Sequence, residues 1–89
     1  MKYFDWDEKK NRFLKKSRGT GFEDVLLALK ENRLLTIIRH PNIKKYSNQK
    51  VLIVEIDGYA YLVPFVEDEQ KIFLKTIFPS RKYTKRYIG

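Results

Sequence analysis

Asp57-Gly58 stands between two runs rich in β-branched and aromatic residues, "KVLIVEI" and "YAYLVPFV". A two-residue turn wants positive φ at both positions, which Asp and Gly tolerate, and its twist matches that of two antiparallel strands. Strands over 50–56 and 59–66 are therefore predicted, joined as a hairpin. A third β-rich run at 71–78 follows the polar turn "EDEQ", so the C-terminal half reads as an antiparallel meander. Pro64 has no N–H to give a ladder, and a bulge or a locally exposed edge is expected there.

The N-terminal half has a different period. "YFDW" at 3–6 alternates like a short strand, and Asp5 with Glu8 fits a capping box for a helix over about 6–16. Trp6, Phe13 and Leu14 are its expected inner face. Glycines 19 and 21 break the chain, Thr20 with Glu23 forms a second box, and Phe22, Val25, Leu26 and Leu29 recur at helical spacing. An apolar run at 34–38 reads as a strand and leads into a loop containing Pro41 and Asn42. After Pro79, Ser80 is placed to cap a short helix through about Tyr87. The fold class is α+β: a single domain over 1–89, with N-terminal helices on one face of a small antiparallel meander of three to four strands, and a short basic C-terminal helix.

Composition narrows the chemistry. With no cysteine and a single histidine, His40, the 89 residues offer no thiolate or multi-histidine metal site and no cysteine nucleophile, so neither metal nor cofactor is expected. No apolar run approaches the roughly 20 residues that span a bilayer, and "MKYFDWDEKK" has no signal-peptide core, so a cytoplasmic location away from membranes is expected. Formal net charge is +8. From Gln70 to Gly89 there are six cations and no acid, while eight of the eleven acids lie in residues 1–57. Such a concentration of positive charge favours an anionic partner. On a helix from Ser80, Lys82 with Arg86 form one stripe, Arg81 with Lys85 another, and Tyr83 with Tyr87 a third. Like charges at that spacing weaken a helix, which argues for a partner outside it.

Several of these stretches resemble one family. "YFDWDEKKN", "GFEDVLLAL", the hairpin and "KIFLKTIFPSRKYTKRY" are similar in order and type to the BrnT-type toxins of bacterial toxin–antitoxin systems. The matching positions are Trp6, Asp7, Lys10 and Asn11 at the start, and Ser80, Arg81, Thr84 and Tyr87 at the end. The resemblance implies a RelE-like fold and RNA cleavage that halts translation. It also implies a hetero-oligomer with an antitoxin carrying a ribbon-helix-helix DNA-binding domain. The chain differs from many members at "KKSRGTGF", which lacks their Lys-His-Gly, and at Arg81-Lys82, where they carry two arginines.

A metal-independent endoribonuclease must activate a 2′-hydroxyl, offset charge on the phosphate and protonate the leaving oxygen. Arg81 is the candidate phosphate clamp, because a guanidinium meets two phosphate oxygens as a fork and stays charged. His40, with an ordinary pKa near roughly 6.5, is the candidate acid or base. Lys10, projecting from the first helix, completes the catalytic set. Lys82, Lys85 and Arg86 are candidate RNA-backbone contacts, and Tyr83 or Tyr87 a stacking surface for a base. Two other readings stand beside this one: a non-catalytic RNA- or antitoxin-binding member of the same fold, and a membrane-surface helix, for which "SRKYTKRYIG" lacks a continuous apolar face.

Overall fold

The computed structural model describes residues 2–39, 42, 44–45 and 49–89. Its elements run β1 (Tyr3–Asp5), α1 (Glu8–Arg18), α2 (Phe22–Lys30), β2 (Leu34–Arg39), β3 (Lys50–Ile56), β4 (Tyr59–Glu67), β5 (Lys71–Leu74), β6 (Phe78–Pro79) and α3 (Arg81–Tyr87). The hairpin turn is as the sequence predicts: Asp57 and Gly58 have φ of 53° and 79°. β3 and β4 then pair from Ile56↔Tyr59 back to Lys50↔Phe65 without a break.

The fold is α+β, but the sheet is larger than a meander. Among the described residues it has six strands in the order β1-β5-β4-β3-β2, with β6 beside β4. β1 lies parallel to β5, Phe4 against Ile72, so the sheet is mixed. β2 adds antiparallel to β3, with a register shift between Leu34 and Thr36.

Pro64 explains why the expected strand 71–78 is two strands. From Phe65↔Leu74 to Leu62↔Phe78, β4 moves three residues while its partner moves four, which is a bulge. Lys75 donates its N–H to the Pro64 carbonyl at 2.8 Å. In an antiparallel strand a residue's N and C=O face the same neighbour, so the missing N–H of Pro64 faces this bulge rather than β3.

Strand alternation sends side chains to two cores. Leu52, Val54, Ile56, Val63, Phe65 and Leu74 meet Leu14 of α1 and Phe22, Val25 and Ala28 of α2. Val51, Ile53, Ala60 and Leu62 face the other way and are covered by Tyr83 of α3, with Phe78, Leu35 and Ile38 around them. Both faces of the sheet are therefore packed, one by two helices and the other in part by α3, which corrects the expectation of one covered face.

Helix starts are also displaced from the capping boxes expected. Asp7, not Asp5, caps α1, accepting from the Lys9 N–H at 2.9 Å. Asp5 instead bonds the Trp6 N–H and pairs with Lys71 across the β1–β5 ladder. α2 starts at Gly21, whose N–H donates to Asp24 at 2.9 Å, not at Thr20 with Glu23. Phe13 is turned outward, 60% exposed, leaving Leu14 and Asn11 as the buried side of α1. Trp6 does pack inward, its ring 5.5 Å from that of Phe22.

Candidate nucleic-acid interface

α3 is built onto the sheet by its two hydroxyl residues. Ser80 Oγ accepts the Tyr83 N–H at 3.2 Å, the cap expected from sequence. The Ser80 N–H donates to the Ala60 carbonyl at 2.9 Å, and Thr84 Oγ1 accepts the Ala60 N–H at 2.8 Å while donating to the Ser80 carbonyl at 2.7 Å. The outward backbone groups of Ala60 are thus taken up by residues of α3 and its cap, which fixes the helix at the start of β4. Tyr83 then drops onto Val51, Ile53, Ala60 and Leu62, and fixes the helix's rotation.

With Tyr83 inward, Arg81, Lys82, Lys85 and Arg86 all project into solvent. Among the described residues none of the four forms an ion pair; the ion pairs of the structure lie elsewhere, such as Lys2 and Lys50 on Glu67 and Arg33 on Glu31. The two tyrosines stack at 6.1 Å and 14°. Lys82 Nζ lies 5.4 Å from the Tyr83 ring centre and the Arg86 guanidinium 5.8 Å from that of Tyr87. Aromatic rings thus steady two of the four cations, leaving their N–H groups free to meet an anion.

The candidate residues do not all converge. Arg81, Lys82, Lys85 and Arg86 share one surface, as the helical spacing predicts. Tyr83 is half-buried as a packing residue, so the ring that offers a face to solvent is Tyr87, 40% exposed. Lys10 is removed from this set: α1 packs on the opposite face of the sheet, and the Lys10 ammonium lies 5.6 Å from the Phe13 ring centre. His40 lies outside the described residues. Among those described, no group of acidic, histidine or cysteine side chains is arranged to hold a metal ion, and no helix is long and apolar enough to cross a membrane.

Thr84 was legible only as one position of the resemblance; its role comes from where β4 begins, 24 residues away in sequence. Four of the eight matching positions, Asp7, Asn11, Ser80 and Thr84, serve helix caps or helix packing. No protein-family model matches the chain, and no curated protein or solved structure matches it either.

Proposed function

We propose that α3 is an RNA-phosphate surface and that the protein is the metal-independent ribonuclease toxin of a toxin–antitoxin pair, of RelE-like fold. The observation that carries the RNA reading is the group of four exposed cations, without ion pairs among the described residues, on one rigidly anchored helix beside an exposed tyrosine. Arg81, at the first turn next to the sheet, offsets charge on the scissile phosphate. Lys82, Lys85 and Arg86 hold flanking phosphates, and Tyr87 stacks a base, a contribution of about 1–3 kcal/mol. The toxin reading draws in addition on the BrnT-like elements at both ends. An antitoxin with a ribbon-helix-helix domain, encoded beside this protein, is the partner that the reading requires.

Purified protein incubated with cellular RNA in the presence of a chelator is expected to give discrete fragments, absent with Arg81→Ala. Intact RNA at large protein excess, with no growth arrest on induced expression, overturns the nuclease assignment.

One observation favours the second reading, binding without cleavage. The segment "RKYTKRY" contains no imidazole or carboxylate, and Lys10 is on the other face, so within α3 itself proton transfer falls to tyrosine or lysine. In that case RNA is retained intact, and Arg81→Ala weakens binding only in step with the other cations.

A further inference from the structure

α1 carries a second cationic surface, which the RNA reading leaves unused. Its inward side is Asn11 and Leu14. On the outward side Lys9, Arg12, Phe13 and Lys16 fall at i, i+3, i+4 and i+7, one ridge about 10 Å long. All four are exposed, and Phe13 at 60% is the most exposed aromatic among the described residues. Lys9, Arg12 and Lys16 form no ion pair among the described residues, whereas the neighbouring Lys15 is taken by Glu23 at 3.0 Å. A phenylalanine standing in water between three such cations is complementary to a partner bearing both carboxylates and an apolar side chain.

We propose that this ridge docks an acidic amphipathic protein segment, whose carboxylates pair with Lys9, Arg12 and Lys16 while an aliphatic side chain covers Phe13. Helical spacing of the cations matches carboxylates at the same spacing on a second helix, ridge against ridge. The Lys10 ammonium, 5.6 Å from the Phe13 ring centre, adds a fourth positive charge beside that ring for the segment's carboxylates. The sheet separates this ridge from α3, so the segment and a ligand on α3 bind without competing. The inference does not depend on whether α3 cleaves RNA.

The test uses the full chain and three probes: a designed helical peptide of glutamate, leucine and alanine, a short oligouridine, and vesicles of phosphatidylserine with phosphatidylcholine. The peptide is expected to shift the backbone amide resonances of α1 and not those of α3. Its affinity should fall roughly tenfold or more in K9E/R12E/K16E, severalfold in Phe13→Ala, and as far when its leucines are replaced by serine. Both protein variants change exposed positions, and oligouridine binding at α3 should stay within about twofold. Three results overturn the proposal: oligouridine or vesicles shifting α1 in place of the peptide, peptide affinity indifferent to the charge reversals, or no binding of the peptide to α1.

Discussion

At the scale of single residues, α1 and α2 are joined by an amide with no charge of its own. Asn11 is fully buried; its Nδ2 donates to Glu8 at 3.1 Å and to both Glu23 oxygens at 2.9 and 3.0 Å, and its Oδ1 accepts the Phe22 N–H at 2.8 Å. Asn11→Ala strands the buried Phe22 N–H and should cost about 1–3 kcal/mol, read from denaturant unfolding. Asn11→Asp should cost at least as much at neutral pH, since it puts a third carboxylate beside Glu8 and Glu23, and part of that loss should return on mild acidification. The same contact explains Gly21. A Cβ there would stand 2.8 Å from Asn11 Oδ1, 2.9 Å from Glu23 Oε1 and 2.6 Å from Lys15 Cε, closer than any real contact, so Gly21→Ala displaces the amide. Hydrogen bonding from Asn11, then from Lys15, holds the Glu23 carboxyl below its ordinary 4.5 against the opposing effect of burial. A carboxyl lowered in the folded state contributes stability that is complete above its unfolded value and lost as pH falls through the folded one. Glu67, through Lys2, and Asp68, through the Gln70 and Lys71 N–H groups, are lowered as well. The melting temperature should therefore drop as pH goes from about 5 toward about 3, and Glu23→Gln should show a smaller drop.

At the scale of elements, α3 is the piece that does not stand alone. Seven residues are too few for a helix in water, where lengths below about 12–15 are marginal, and its like charges at i, i+4 weaken it further. The anchor at Ala60 and the docked Tyr83 must supply the rest. Thr84→Val removes the hydroxyl while keeping the shape, and leaves the Ala60 N–H without its acceptor. Amide exchange over residues 83–87 should then rise by roughly ten- to a hundredfold, equivalent to about 1–3 kcal/mol, with the β3–β4 hairpin still protected. A uniform rise across the sheet would show instead that α3 and the sheet unfold as one unit. These elements also show what could be read locally. The Asp57-Gly58 turn and the Ser80 cap carry their signals within four residues, and both were legible in the sequence. So was trouble at Pro64, because a missing donor is a property of the residue itself. The α1 start was not: Asp5 with Glu8 has the local cap signal, but β1 pairs with β5 and takes Asp5 into the ladder, a contact between residues 68 positions apart that leaves no local pattern. Phe13 was misplaced for a separate reason: it and Leu14 are neighbours about 100° apart on the helix, and only the packing of α1 on the sheet decides which of them faces in. Of the candidate site, the grouping of Arg81, Lys82, Lys85 and Arg86 was legible because one helix carries it, whereas the place of Lys10 across the sheet from them was not, because it depends on which face α1 packs against.

At the scale of the whole molecule, charge is divided between two opposite surfaces. The body measures 35 × 29 × 25 Å, with α3 on one side of the sheet and α1 on the other. A single RNA strand lying on α3 neutralises up to four cations and releases the counterions they displace. For single strands the slope of log K against log salt is about −0.7 per phosphate contacted, so binding confined to α3 should give a slope no steeper than about −3. If the strand also wrapped to Lys9, Arg12 and Lys16, seven contacts would steepen it to about −5. Fluorescence anisotropy of labelled oligouridine between about 50 and 300 mM salt distinguishes the two. The expected result is the shallower slope, unchanged by K9E/R12E/K16E and lowered by about 0.7 for each of Lys82→Ala, Lys85→Ala and Arg86→Ala. A slope near −5 that falls toward −3 on reversing the α1 charges would mean that one polyanion encircles the molecule. The two helices would then be parts of a single site, and the basic ridge of α1 would be occupied by RNA.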